Sequence, residues 1–504
     1  MNSTVATAVA AEHEVLGHPR GLITLFFAEM WERLSYYGMR ALLVLFMTDQ
    51  ILRGGMALDD RTATAIYGIY TAAVYLVALP GGWIADRLLG AQRAVFFGGI
   101  IIMSGHFVLA VPSVYAFFLG LLLVVLGTGL LKPNVSAMVG ELYAPGDPRR
   151  DGGFTIFYMG INVGAFLGPL VCGTLGQSPN FGWHYGFAAA GLGMLFGVVQ
   201  FRMTRQYLGE AGLLPSSSGN AERDAAFRRK GWIAVAAGML LVAAVVFLGM
   251  TGAVSFDPLA ISRQTTYLIL AMAVLYFGYL LFFARLENVE RKRVVVLAVL
   301  FIGASMFWSG FEQAGSSLNI FADRHTVLEF ESFTLLSTWF QSLNSAFIII
   351  FAPIFAWMWV WLAKRNLNPS TPAKFAFGLV FLAIGFFMMV GASLIVADGD
   401  KALPTWLLFT YLFHTLGELA LSPVGLSATT KLSPKRFVGQ MMGVWFLATA
   451  LGNLIAGQIA GDFDPNDLQA FPAQYWQIVL TTGGTGVILL LFTKPIKKLM
   501  GGVD

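Results

Sequence analysis

The chain has 504 residues, 57% of them hydrophobic and 12% charged, with a formal net charge of +4. That balance excludes a soluble enzyme and describes a polytopic membrane protein surrounded by lipid, with no nucleic-acid partner. One cysteine, Cys172, excludes an intrachain disulfide.

The first twenty residues hold Glu12, His13, Glu14, His18 and Arg20 and lack an apolar core. No cleavable leader is expected, and the first span should act as its own insertion signal. Fourteen hydrophobic spans follow: about 21–47, 62–85, 94–112, 114–139, 153–176, 184–204, 231–252, 265–284, 294–321, 333–362, 373–397, 404–429, 437–460 and 475–493. The expected organisation is an N-terminal bundle of six spans (1–204) and a polar linker (205–230) containing Pro215-Ser-Ser-Ser-Gly219. An extra transmembrane hairpin (231–292) and a C-terminal bundle of six spans (293–504) complete it.

Span one is unusual. Glu29, Arg33, Tyr37 and Arg40 recur at a helical spacing that places them on one face, with Glu32 and Tyr36 beside them. Ionisable residues within a span are costly and mark function. Span two ends in Gly81-Gly-Trp-Ile-Ala-Asp86-Arg87-Leu-Leu-Gly90-Ala-Gln-Arg93, read as a tight turn with a charge lock between helices. Span four holds Leu126-Gly127 and Pro133; span twelve holds Leu416-Gly417 and Pro423 at the same spacing, 290 residues on. The match favours a duplicated transporter. Gly160, Gly164 and Gly168 in span five read as a close helix-packing face.

Of the 32 Lys and Arg, 24 fall in the termini, loops and span ends of one side and five on the other. The positive-inside rule then places both termini in the cytoplasm. The remaining three, Arg33, Arg40 and Lys132, lie inside spans of the first half, while the second half contributes Glu312 and Glu418. Three cations facing two acids suit a zwitterion with separated charges: Arg forks a carboxylate, Lys adds a point charge, and an acid holds an ammonium. Tyr37, Tyr75, Tyr158, Trp308 and Trp445, with Asn162 and Asn344, lie in these or neighbouring spans and suit pockets for varied side chains.

Several of these stretches resemble one family. The Gly81–Arg93 turn resembles the loop motif of the major facilitator superfamily. Glu29-x-x-Glu32-Arg33-x-x-Tyr36-Tyr37, Phe157-Tyr158-Met-Gly-Ile-Asn162-Val-Gly164, Leu131-Lys132-Pro133-Asn134, Phe311-Glu312-Gln313 and Gly417-Glu418-Leu-x-x-Ser422-Pro423 are similar to signatures of its proton-dependent oligopeptide transporters. The resemblance implies an all-α major facilitator fold, two six-helix bundles plus the extra pair typical of bacterial members. It further implies proton-coupled symport of di- and tripeptides across the bacterial inner membrane, with no cofactor beyond the coupling proton; separately, a monomer is expected.

In that family frame, Arg33, Lys132 and Arg40 face the peptide carboxylate. Glu418, with Asn162 and Asn344, holds the amine. Tyr37, Tyr75, Tyr158, Trp308 and Trp445 line side-chain pockets, and Ser422 joins the binding set through its motif. Glu29, Glu32 and Glu312 are the expected proton-coupling carboxylates. Protonated Glu312 would release Arg40, and protonated Glu29 or Glu32 would release Arg33 or Lys132. Two departures stand out: span two has no histidine where animal members carry one, and Leu34 stands where many members have Phe. His414 is read as a structural or tuning residue and not as a proton carrier. The competing readings are a relative carrying nitrate, an amino acid or a drug, and a non-transporting nutrient receptor or channel.

Overall fold

A computed structural model describes residues 14–15, 17–144, 146–213 and 221–502. The Pro215–Gly219 stretch of the linker and Glu12 and His13 lie outside them. Apart from a two-residue antiparallel pair, Glu14–Val15 with His18–Pro19 and Val15 opposite His18, the main elements are helices. In chain order they are α1 (Gly21–Thr48), α2 (Asp60–Ile84), α3 (Ala91–Leu109), α4 (Val114–Glu141), α5 (Arg150–Gly176) and α6 (Trp183–Thr204). Then come α7 (Ala221–Met250), α8 (Pro258–Phe282), α9 (Asn288–Phe311), α10 (Ser317–His325), α11 (Ser342–Lys364) and α12 (Thr371–Ala397). The last are α13 (Pro404–Leu432), α14 (Val438–Gly461), α15 (Phe471–Leu491) and α16 (Thr493–Leu499).

Among the described residues twelve helices are long and apolar enough to cross a bilayer, and α15 with α16, bent by 63°, forms a thirteenth crossing. Helix α1 stands apart because it carries four charges, yet its 28 residues reach across a hydrocarbon core of about 30 Å. With it the crossings agree with the fourteen spans read from sequence. Local signals set several boundaries. Glu287 and Glu290 close a reciprocal capping box at the start of α9, and prolines occupy the first turns of α12, α13 and α15.

Two differences from the sequence reading have physical reasons. Span nine is not continuous: α9 stops at Phe311, Glu312–Gly315 tightens into a 3₁₀ turn, and α10 restarts at Ser317. Hydropathy runs unbroken across this break and so conceals it. Helix α7 begins at Ala221, inside the stretch read as linker, because Arg228-Arg229-Lys230 is hydrophilic but helix-compatible.

The chain packs as two compact units. The first comprises Met1–Met39, Val77–Gly176 and His184–Asp257. Its core includes Leu22, Leu25, Val95, Ile102, Leu131, Met138, Phe157 and Phe201. The glycine run of α5 meets α1 directly. A Cβ on Gly160 would lie 3.0 Å from the Phe26 carbonyl, and one on Gly164 or Gly168 would press into the carbonyls of Met30 and Leu34. One turn further along, Cys172 fills the space beside Gly38 and is fully buried.

The proline of α4 has a local consequence. Pro133 offers no N–H to the carbonyl of Gly129, and that carbonyl packs against Gly81 of α2, where a Cβ would collide with it. At the end of α2 the helix widens over Ala85–Leu89 and ends on Gly90 at φ 79°. Asp86 and Arg87 form no ion pair among the described residues; Arg87 instead lies over the ring of Phe227, 5.7 Å from its centroid. The expected charge lock is therefore absent from this turn.

The second unit comprises Arg40–Leu76, Gln177–Trp183 and Pro258–Asp504. Its core includes Phe307, Leu379, Leu382, Phe386, Leu421, Leu451 and Tyr475. The late part of α1 and the early part of α2 thus pack with the second repeat. Asn319 donates to the Ala41 carbonyl at 2.9 Å, and Arg324 grips Asp60 with two bonds of 2.6 and 2.8 Å. Gln177 donates to Ser337 at 2.8 Å and accepts from Thr338 at 2.8 Å. The extra pair is divided: α7 belongs to the first unit. Helix α8 belongs to the second, where Gln458 of α14 bonds Ser262 and Thr266.

Candidate substrate and proton sites

In the first unit the charged groups gather on α1. Arg33 Nε donates to Glu29 Oε1 at 2.7 Å and lies 2.9 Å from Glu32 Oε2. All three side chains are buried. Among the described residues, Glu29 Oε2 and both Glu32 oxygens have no hydrogen-bond donor. Two carboxylates thus share one guanidinium in a buried place, which is costly unless further positive charge or a proton offsets the excess. Lys132, half-buried on α4, supplies part of it, acting electrostatically on Glu32.

Aromatic and amide groups surround this cluster. Arg33 lies over the ring of Tyr36, and Tyr36 meets Tyr37 edge-on at 5.3 Å. On α5, Asn162 is buried and donates to the Tyr158 carbonyl at 2.9 Å, while the Tyr158 ring is 40% exposed. The tight fit of the α5 glycines against α1 holds these side chains close to the α1 backbone.

In the second unit Arg40 Nη2 donates to Glu312 Oε2 at 2.7 Å, and Arg40 Nε donates to the Tyr67 hydroxyl at 2.5 Å. Glu312 sits on the break between α9 and α10, where the chain leaves the helix. Arg40, expected to face a carboxylate group of the substrate, is here committed to a carboxylate of the protein. On α13, Glu418 Oε2 accepts from Asn344 Nδ2 at 3.0 Å, and the same amide nitrogen donates to Thr415 Oγ1 at 3.1 Å. Ser422 follows Glu418 by one turn and is half-buried.

Trp308 and Trp445 are almost wholly buried. Trp308 meets Phe307 and Phe311 edge-on, Trp445 meets Phe375 edge-on at 6.2 Å, and Tyr75 is half-buried against the same core. His414 lies among rings, 4.7 Å from Phe386 and 6.4 Å from Phe311. Tyr67 and Thr415 were not singled out from sequence. The signal for Tyr67 was its place on one face of α2 with Thr71 and Tyr75, at i, i+4 and i+8.

The formal charges of the two groups differ. In the first unit Glu29 and Glu32 balance Arg33 and Lys132. In the second, among the described residues, Glu312 and Glu418 are set against one cation, Arg40, so one formal negative charge is in excess.

A family model described as the POT family matches residues 92–476. This chain belongs to the POT family. A peptide transporter of Yersinia enterocolitica, YePEPT, is 43% identical over 501 residues, covering 97% of this chain and 96% of that protein. A di-/tripeptide transporter of Lactococcus lactis subsp. cremoris is 38% identical over 502 residues, covering 98% of each. A crystal structure of a peptide transporter POT in complex with sulfate superposes with a TM-score of 0.88 at 43% identity, covering 97% of both chains. As a POT-family protein the chain is a multi-pass membrane transporter rather than an enzyme, and it shares the all-α fold of that structure.

Proposed function

We propose that this POT-family protein is a proton-coupled symporter that imports di- and tripeptides across the bacterial inner membrane, with both termini in the cytoplasm. It works as a monomer and uses protons as its coupling ion. The observation that carries the reading is the charge arithmetic of the two groups. Protonation of Glu29 or Glu32 turns the balanced cluster of the first unit net positive, ready for a peptide carboxylate. The group of the second unit is net negative, ready for an ammonium. A peptide, like an amino acid, has both ends; nitrate lacks the ammonium, and an uncharged drug lacks both.

Arg33 and Lys132 then take the carboxylate, and Glu418, steadied by Asn344, takes the amine. Asn162 adds a polar contact. Tyr37, Tyr75, Tyr158, Trp308, Trp445 and Ser422 shape the space around the side chains. Glu312 carries the proton that decides whether Arg40 is held, so that each conformational state is favoured by its own ligand. The names of the Yersinia and Lactococcus relatives support the peptide class.

The test is uptake of a labelled dipeptide into proteoliposomes, with and without an inward proton gradient. Gradient-dependent accumulation is expected in the wild type. In Glu312→Gln it should be abolished while peptide counterflow, which needs no net proton movement, persists. Absence of uptake for every di- and tripeptide tried would falsify the peptide reading. Concentrative uptake by Glu312→Gln would remove Glu312 from coupling.

A further inference from the structure

We propose that Tyr67 is a positioning residue for the Arg40–Glu312 ion pair, holding the guanidinium by Nε so that Nη2 is presented to Glu312. The inference rests on the reading of Glu312 as a coupling carboxylate. Its starting point is geometric. Arg40 makes two bonds through different nitrogens of one rigid fork, Nε to the Tyr67 hydroxyl and Nη2 to Glu312 Oε2 at 2.7 Å. Two anchors on a planar group fix its plane as well as its position. Tyr67 is 1% exposed and Arg40 6% exposed, so water does not substitute readily for either anchor.

The same phenol oxygen also abuts the turn that carries the carboxylate. It lies against Gly315, three residues after Glu312, where any Cβ would collide with it. One oxygen therefore touches the cation and sets the packing of the segment that bears the anion. Next to Tyr67, Gly68 crosses Gly457 of α14 backbone to backbone. A Cβ on Gly68 would be 3.0 Å from the Asn453 carbonyl and 3.2 Å from Gly457 Cα. That crossing fixes the rotation of α2 and with it the direction of Tyr67.

Other titratable groups face the pair. From α13, Tyr411 donates to the Ala314 carbonyl at 3.3 Å and interacts electrostatically with Arg40 and Tyr67. Glu418, also on α13, interacts electrostatically with Arg40 and Glu312. Tyr67 accepts the hydrogen bond from Arg40 Nε, so it keeps hold of the cation while Glu312 is neutral. When Glu312 gives up its proton, the Arg40 guanidinium is already in place to pair with the carboxylate that forms. Without that hold, Arg40 is less well oriented toward an ionised Glu312 and the transporter changes state without its proton more often, which is slip.

The experiment uses the full chain in proteoliposomes and reads the ratio of proton-driven accumulation to counterflow for one labelled dipeptide. That ratio is insensitive to the amount of folded transporter, so a merely structural role would leave it unchanged. Tyr67→Phe keeps the ring and loses the acceptor. The ratio should fall at least fivefold, with counterflow within about twofold of wild type, and in a Glu312→Gln background Tyr67→Phe should add nothing. If Tyr67→Phe does not reach the membrane folded, Gly315→Ala displaces the hydroxyl and should lower the ratio likewise. A wild-type ratio in the folded variant, or parallel loss of both activities, overturns the inference. If Glu312→Gln itself still accumulates peptide, the fault lies with the coupling reading and not with Tyr67.

Discussion

At the scale of single residues, the candidate site divides into groups the sequence displays and groups it hides. Glu29, Glu32 and Arg33 were visible because charges inside a span have no apolar explanation, and helical spacing alone brings Glu29 to Arg33. The pairing of Arg40 with Glu312 spans 272 positions, and only charge sign suggested it. Tyr67 was hidden because a tyrosine in a span usually serves as core, and its hydroxyl acquires meaning only from its neighbour. Glu418 permits a sharp test. Removing one partner of a desolvated charge pair costs roughly 2–5 kcal/mol. Glu418→Gln is expected to weaken binding of a dipeptide by that amount and to leave a des-amino analogue almost unaffected, as read by competition against a labelled peptide. Undiminished preference for the free amine in the mutant would show that another group reads that end.

Helices obey a different economy, in which backbone distance matters more than side-chain charge. Span number and approximate limits were readable because a run of about twenty apolar residues has few other uses. The break at Glu312 was not, since the turn at Glu312–Gly315 and Ser316 interrupts the helix without lowering hydropathy enough to mark a boundary. The α5 glycines were readable as a packing face, but their partner was not; it is the α1 backbone at Phe26, Met30 and Leu34. Gly164→Ala should therefore force α5 away from α1 and cost about 1–3 kcal/mol, the usual penalty of overpacking. Gly278 of α8, with open space where its Cβ would stand, provides the contrast: Gly278→Ala should leave stability unchanged or raise it, by up to about 1 kcal/mol. Thermal unfolding of both purified variants in detergent compares them, and equal midpoints would mean that the α1–α5 contact yields more easily than its geometry implies.

For the molecule as a whole, the sequence suggested two repeats, whereas the packing divides the chain elsewhere. The late part of α1 and the early part of α2 join the second unit through Ala41, Asp60 and Gly68, and the extra hairpin is shared between units. No periodicity reports this, because it depends on contacts between residues hundreds of positions apart. Orientation, in contrast, follows from loop charge alone. Leu367, exposed beside Lys364 and Arg365, should face the cytoplasm, so a Leu367→Cys variant should resist an impermeant maleimide in intact cells and react once they are opened. Reaction from outside would invert the topology. The native thiol does not confuse such work. Cys172 is shut between α5 and Gly38 of α1, beyond the reach of aqueous reagents. Toward those reagents the natural chain behaves as if it had no cysteine. Pairs of probes placed on introduced cysteines can then serve as a spectroscopic ruler with Cys172 left in place, and the distances followed while peptide and proton are supplied separately.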